Sequence, residues 1–231
     1  MLSVRGISAV YPGGIRAFAD VSFEAKAGEN IALVGANGAG KTSLLLALVG
    51  ILPLSSGSVS VAGVELDPDN PGDLRRKVGL VFQNPEDQLF MPSIYEDLVF
   101  GPRNLGLSEE DAARRAAGAL ELLGISRLKD RSPLRLSGGE KRLAAIATVL
   151  TMRPEVMLFD EPTAFLDPRA RRSLIAALKP LPHTKIIATH DLPFAAQLCA
   201  RALILKDGGI RAQGSTEALF GDSALMEECG L

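Results

Sequence analysis

The sequence predicts an α/β fold: a core on a parallel sheet, a small antiparallel β-subdomain at the N-terminal end, and a mostly helical lobe inserted at about 84–135. Three observations predict it. Apolar runs recur along the chain without strict alternation, the pattern of strands covered on both faces. Helical patterns lie between those runs, the order of a parallel sheet with crossover helices. The N-terminal third instead holds short alternating stretches punctuated by Gly and Pro, which suit antiparallel strands.

Taken in order, the stretches VRGISAVY, ADVSFEAKAG and GSVSVAG form the antiparallel part. The buried strands are IALVG at 31–35, VGLVF at 78–82, VMLFD at 156–160, KIIATH at 185–190 and ALILKDG at 202–208. Helices are expected at TSLLLALVGIL after the first of these and at KRLAAIATVL before the third. In the inserted lobe Ser108 reads as an N-cap, with Glu109, Glu110 and Asp111 in the first turn of a helix that ends near Gly124. The chain stops soon after its last expected strand. No internal repeat or low-complexity segment is visible.

Composition narrows the function classes. The 231 residues are 47% hydrophobic, enough for one good core or one core with an inserted lobe. A net charge of −2 and a pI near 5.8 provide no global positive field for a polyanion, so nucleic acid is not an expected partner. The longest apolar stretch, Ser43 to Leu54, is cut by Pro53 well short of the roughly 20 residues of a membrane-spanning helix. The start, MLSVRGISAVYPGG, lacks the basic region and continuous apolar run of a secretory signal, which gives a cytoplasmic reading. Cys199 and Cys229 form no CxxC, and they read as packing residues.

Chemistry concentrates at four places. Gly35 to Thr42, GANGAGKT, fits GxxxxGK[ST] between an apolar strand and a helix, the phosphate-binding loop of P-loop NTPases. Gly35, Gly38 and Gly40 let the backbone curl so that amide N–H groups point at phosphate oxygens, beside the positive end of the following helix. Asn37 and Ser43 belong to the same nucleotide-facing segment. Lys41 should reach the β- and γ-phosphates and Thr42 should ligate Mg2+. The chain has no NKxD sequence to read guanine, so ATP is the expected nucleotide.

In VMLFDEP, Asp160 ends an apolar strand where side chains emerge at the ligand edge of a parallel sheet, a position suited to holding Mg2+. Glu161 is placed to polarise the attacking water as a general base. Gln83 closes the strand VGLVF and His190 closes KIIATH, bringing two neutral hydrogen-bonding groups to the same edge. Gln83 is then a candidate for the Mg2+ or the lytic water, and His190 for the γ-phosphate. His183, in the loop PLPHT, reads as an ordinary packing residue.

GANGAGKT, Gln83, LSGGE at 136–140, LFDEP, FLDP and His190 follow one another over nearly the whole chain, and together they resemble an ABC ATPase subunit. The resemblance implies two subunits meeting head to tail, the LSGGE signature of one completing the ATP site of the other. Ser137 and Gly139 would then bind the γ-phosphate across the interface, a hydroxyl and glycine amides at a helix N-terminus being an anion receptor. It further implies that Tyr11 stacks on adenine and that Asp167 takes part in the nucleotide site. Phe165 departs from the pattern, since the family usually carries a small residue there.

A narrower likeness lies in residues 81–108, VFQNPEDQLFMPSIYEDLVFGPRNLGLS, which resemble the ATPase subunits of energy-coupling-factor transporters, particularly the cobalt and nickel uptake group. That likeness implies a place at the cytoplasmic face of the membrane, and the lack of the C-terminal extension found in many paired vitamin-type subunits favours a homodimer. Its partners would be an integral membrane scaffold protein, which docks on the helical lobes, and a separate substrate-binding membrane protein. Cobalt or nickel is the expected cargo. The alternatives are a vitamin such as biotin, another ABC transporter, or a soluble ABC mechanoenzyme acting on nucleic acid.

Overall fold

The computed structural model describes residues 1–231, which divide into two compact units. The first comprises 1–80, 155–161 and 182–231, and the second 81–154 and 162–181.

In the first unit, β1 (Leu2–Val10) pairs antiparallel with both β2 (Arg16–Ala25) and β4 (Ser56–Val61), and β5 (Val64–Glu65) completes a four-stranded sheet in the order β2-β1-β4-β5. Alternation explains the arrangement: Phe18, Val21, Phe23 and Ala25 of β2 are buried while residues between them face outward. A second sheet holds β3 (Asn30–Val34), β6 (Val78–Val81), β7 (Val156–Asp160), β8 (Thr184–Ala188), β9 (Arg201–Lys206) and β10 (Gly209–Ser215), in the order β10-β9-β3-β8-β7-β6. Pairings β3–β8, β3–β9 and β7–β8 are parallel, and the side chains of β7 and β8 are buried throughout, as the unbroken apolar runs require. The core of this unit joins both sheets and α1 (Lys41–Leu48), running from Leu2, Val4 and Phe18 through Leu44, Leu45 and Leu48 to Leu158, Ile186 and Leu203.

Two differences from the expected boundaries bear on the site. β6 ends at Val81 and β8 at Ala188, so Gln83 and His190 each lie two residues beyond a strand rather than closing it. The chain also continues past β9 with β10, α8 (Thr216–Gly221) and α9 (Ser223–Glu228). β10 folds back antiparallel on β9 through Asp207 and Gly208, both at positive φ, and its alternating half-exposed residues give no apolar run. The remaining helices of this unit are the short α2 (Gly72–Arg75) and α7 (Leu192–Leu198).

The second unit contains α3 (Ile94–Asn104), α4 (Glu109–Leu122), α5 (Gly138–Thr151) and α6 (Pro168–Leu178). Each starts at an Asx or Ser cap. Ser93, Ser108, Ser137 and Asp167 accept backbone N–H groups that would otherwise lack partners, a contribution of about 1 kcal/mol apiece. α4 buries Ala112, Ala116, Ala119 and Leu120, one stripe at helical spacing. α5 is buried over most of its circumference, from Arg142 to Thr151, and is the central helix against which α3, α4 and α6 pack.

Candidate active site

The loop Gly35–Thr42 joins β3 to α1. Its last glycine, Gly40, is the N-cap of α1 in the left-handed region at φ 100°. A Cβ at Gly40 would stand 2.7 Å from the Ala17 carbonyl oxygen, so both conformation and space demand glycine. No side chain caps α1, which leaves its first turn to serve an external anion. Lys41 is buried and arches over the loop. Its Nζ donates to the carbonyls of Gly35 at 2.7 Å and Ala36 at 3.2 Å and lies 3.6 Å from Glu161 Oε1.

Thr42 Oγ1 sits 3.1 and 2.9 Å from the two carboxylate oxygens of Asp160, the buried last residue of β7. A hydroxyl beside a carboxylate is an all-oxygen donor set, and it fits a hard divalent cation such as Mg2+.

Glu161 follows at φ 41°, a backbone conformation that L-residues avoid, and is held there by donating its N–H to Ala188 O at 2.8 Å. Its carboxylate is buried. Oε2 accepts from Thr189 Oγ1 at 3.1 Å and from the His190 backbone N–H at 3.3 Å, and His190 Nδ1 lies 3.0 Å away. Lys41 attends the other oxygen. Such a fully engaged buried carboxylate has a fixed direction, which is what a general base needs. Thr189 had no motif to announce it. Its position one residue before His190 is the only sequence signal that finds it.

Of the remaining expected residues in this unit, Tyr11 and Ser43 meet through their hydroxyls at 2.9 Å, joining β1's end to α1, and Asn37 and Gly38 are exposed at the loop's crest. The first unit thus brings together the phosphate loop, Lys41, Thr42, Ser43, Tyr11, Asp160, Glu161 and His190.

Gln83, Ser137, Gly139 and Asp167 belong to the second unit. Gln83 is exposed, and its backbone is fastened from below. The buried Arg142 donates from Nη1 to Phe82 O at 2.7 Å and from Nη2 to Gln83 O at 2.6 Å. Gln88 adds a second fastening, accepting from Phe82 N at 3.2 Å and donating to Ala145 O and Thr148 Oγ1, both at 2.7 Å. Arg142 escaped the sequence reading because an arginine in KRLAAIATVL looks like a solvated helix face.

Ser137 and Glu140 form a reciprocal capping box at the start of α5, a feature the spacing Ser-x-x-Glu does announce. A Cβ on Gly139 would come within 2.8 Å of Ala170 Cβ, so glycine here lets α5 lie against α6. Asp167 caps α6 by accepting from Arg169 N and Ala170 N, both at 2.8 Å, and these bonds lower its pKa. Ser137, Gly139, Glu140, Asp167, Arg127 and Arg169 line one open cleft of about 400 Å³ within this unit.

The family description ABC transporter matches residues 18–164. An ABC transporter ATP-binding protein from Geobacter sulfurreducens is 46% identical over 231 residues, spanning 100% of this chain and 93% of the relative. The energy-coupling factor transporter ATP-binding protein EcfA of Methanothermobacter thermautotrophicus is 41% identical over 236 residues, spanning 100% of this chain and 76% of its own. Among solved structures, cbiO1 from Clostridium perfringens, part of the ABC transporter complex cbiONQ, superposes with a TM-score of 0.87 at 36% identity, covering 98% of this chain and 93% of that one. A dimeric ATP-binding cassette, MJ0796, in a post-hydrolysis state with ADP and Pi gives a TM-score of 0.81 at 27% identity, covering 94% and 99%.

Proposed function

The chain belongs to the ABC transporter family as an ATP-hydrolysing subunit, and from that premise we propose that it drives an energy-coupling-factor-type importer, with cobalt or nickel ions as cargo. The observation that carries the ATPase part of the reading is the single cluster in which Lys41, Thr42, Asp160, Glu161 and His190 meet within hydrogen-bond or ion-pair reach, and the importer type is supported by the likeness to EcfA and cbiO1. It is one ABC ATPase domain over 1–231, with 84–135 as its inserted helical lobe.

ATP binds on the loop amides of Gly35, Asn37, Gly38 and Gly40, with Lys41 exchanging its loop carbonyls for phosphate oxygens, a charge-assisted contact. Thr42 and Asp160 would hold Mg2+, which when bound neutralises phosphate charge, and Gln83 is the further candidate ligand that the sequence supplies. Glu161 takes the proton of the attacking water. His190 and Thr189 fix the direction of its carboxylate, and His190 also faces the γ-phosphate. Tyr11 packs on adenine, Ser43 extends the phosphate loop, and Ser137, Gly139 and Asp167 of a second copy complete the site. No helix of the chain is long and apolar enough to cross a membrane. On the likeness to EcfA, cbiO1 and the dimeric cassette, the subunit works as a homodimer on the cytoplasmic face, docked on an integral membrane scaffold with a separate membrane protein that binds the cargo.

The test is copurification followed by uptake. Tagged chain from its native host should bring down integral membrane partners, and deleting it should abolish ATP-dependent cobalt or nickel accumulation. Recovery of the chain with no membrane partner contradicts the transport assignment. Normal metal uptake in the deletion strain rejects the cargo alone.

A further inference from the structure

The start of α5 carries more than a helix cap. Glu140 Oε2 accepts the Ser137 backbone N–H at 3.0 Å and lies 2.9 Å from Ser137 Oγ. Ser137 Oγ in turn accepts the Glu140 N–H at 3.4 Å, so the hydroxyl's one hydrogen points at the carboxylate. While that bond lasts, Ser137 has no hydrogen to give a phosphate. The two Ser137 bonds also hold the Glu140 carboxyl below the usual glutamate range, so it carries its charge at neutral pH. That charge lines the same cleft as Ser137 and Gly139, where an incoming triphosphate would be repelled.

One cation touches it. Arg127 Nη2 lies 2.8 Å from Glu140 Oε1, the oxygen that Ser137 does not use. Arg127 is otherwise lightly held, with Nη1 reaching Gly124 O only at 3.5 Å, and its side chain is 64% exposed. Asp167 and Arg169 bring one further charge of each sign to the cleft, and Leu143 brings none.

We propose that Glu140 and Arg127 are paired positioning residues that set how readily the signature end of α5 accepts the ATP of a second copy. Glu140 occupies the Ser137 hydroxyl and opposes the triphosphate. Arg127 offsets the Glu140 charge and draws its carboxylate away from Ser137 as the nucleotide docks. The inference deepens the proposed function and rests on its head-to-tail dimer.

A glutamine at 140 keeps the capping geometry, because its amide oxygen accepts the same bonds, and removes only the charge. The full chain is therefore studied in a slow-hydrolysing Glu161→Gln background, following ATP-driven self-association by analytical ultracentrifugation across ATP concentration and salt. Arg127→Gln should raise the ATP needed for half-maximal association about two- to fivefold, the range expected of an exposed charge pair. Glu140→Gln should lower it. With Glu140→Gln present, Arg127→Gln should have no further effect, and the Arg127 effect should shrink at high salt.

A merely structural role would instead lower the unfolding temperature of the ATP-free chain and shift both backgrounds alike. An equal Arg127→Gln shift with Glu140 or Gln at 140, no shift at all, or weaker association in Glu140→Gln each overturns the proposal. If the Glu161→Gln chain fails to associate with ATP at any concentration, the dimer itself is overturned and this inference with it. Additive effects in a chain that does associate sink only the inference.

Discussion

Glu161 at φ 41° and Phe165 at φ 62° both sit on backbone that L-residues avoid. For Glu161 the strain is offset by a backbone bond to Ala188 and by the side-chain bonds from Thr189 and His190, which leave the carboxylate one direction to face. Phe165 has no such return, since its side chain is 97% exposed. Phe165→Gly should therefore raise stability by about 0.5–1 kcal/mol, the relief of the left-handed conformation less the added freedom of the unfolded glycine. A denaturant midpoint measures it, and an unchanged or lower midpoint contradicts the strain. The meeting of Lys41, Thr42, Asp160 and Glu161 was legible in the sequence, where motifs fix their spacing. Thr189 and Arg142 were not, because a threonine inside KIIATHD and an arginine inside an alanine-rich helix have commonplace packing explanations.

Elements were readable in proportion to their apolar content. β3, β7 and β8 are buried along nearly their whole length and stand out as unbroken runs, and Ser108 with three acids after it marks the start of α4. β10 did not stand out, because its ladder with β9 is closed by backbone bonds beneath polar, half-exposed residues. The C-terminal α9 is held to those strands by charge. Glu228 accepts from Arg211 and Lys206, and chiefly the Arg211 hydrogen bond brings its pKa down from 4.5 to about 2. A depressed folded-state pKa means the stabilisation is complete above about pH 4.5 and is lost as pH falls towards about 2. Amide protection in residues 216–231, the observed exchange rate taken against the intrinsic rate at each pH, should fall across that window in the wild type. Glu228→Gln should show lowered protection already at pH 7 and no such transition. Identical profiles for the two proteins contradict the anchoring role.

At the scale of the whole molecule, the residues proposed for the nucleotide site fall in two units of one chain. The phosphate loop, Asp160, Glu161 and His190 lie in one, and the signature, Asp167 and Gln83 in the other. The succession of GANGAGKT, LSGGE and LFDEP was readable in the chain, but this division was not, since the expected lobe at about 84–135 holds none of Gln83, the signature or Asp167. The cargo was not readable, because the proposed recognition site belongs to another polypeptide. The account depends on the first cluster acting as a hydrolytic centre, with Glu161 as the base that takes a proton from water. The direct measurement compares ATP binding and steady-state hydrolysis in the wild type and Glu161→Gln. Binding should persist while hydrolysis slows at least ~100-fold, as loss of a general base requires; an unchanged rate with intact binding would contradict the role assigned to Glu161 and the mechanism built on it.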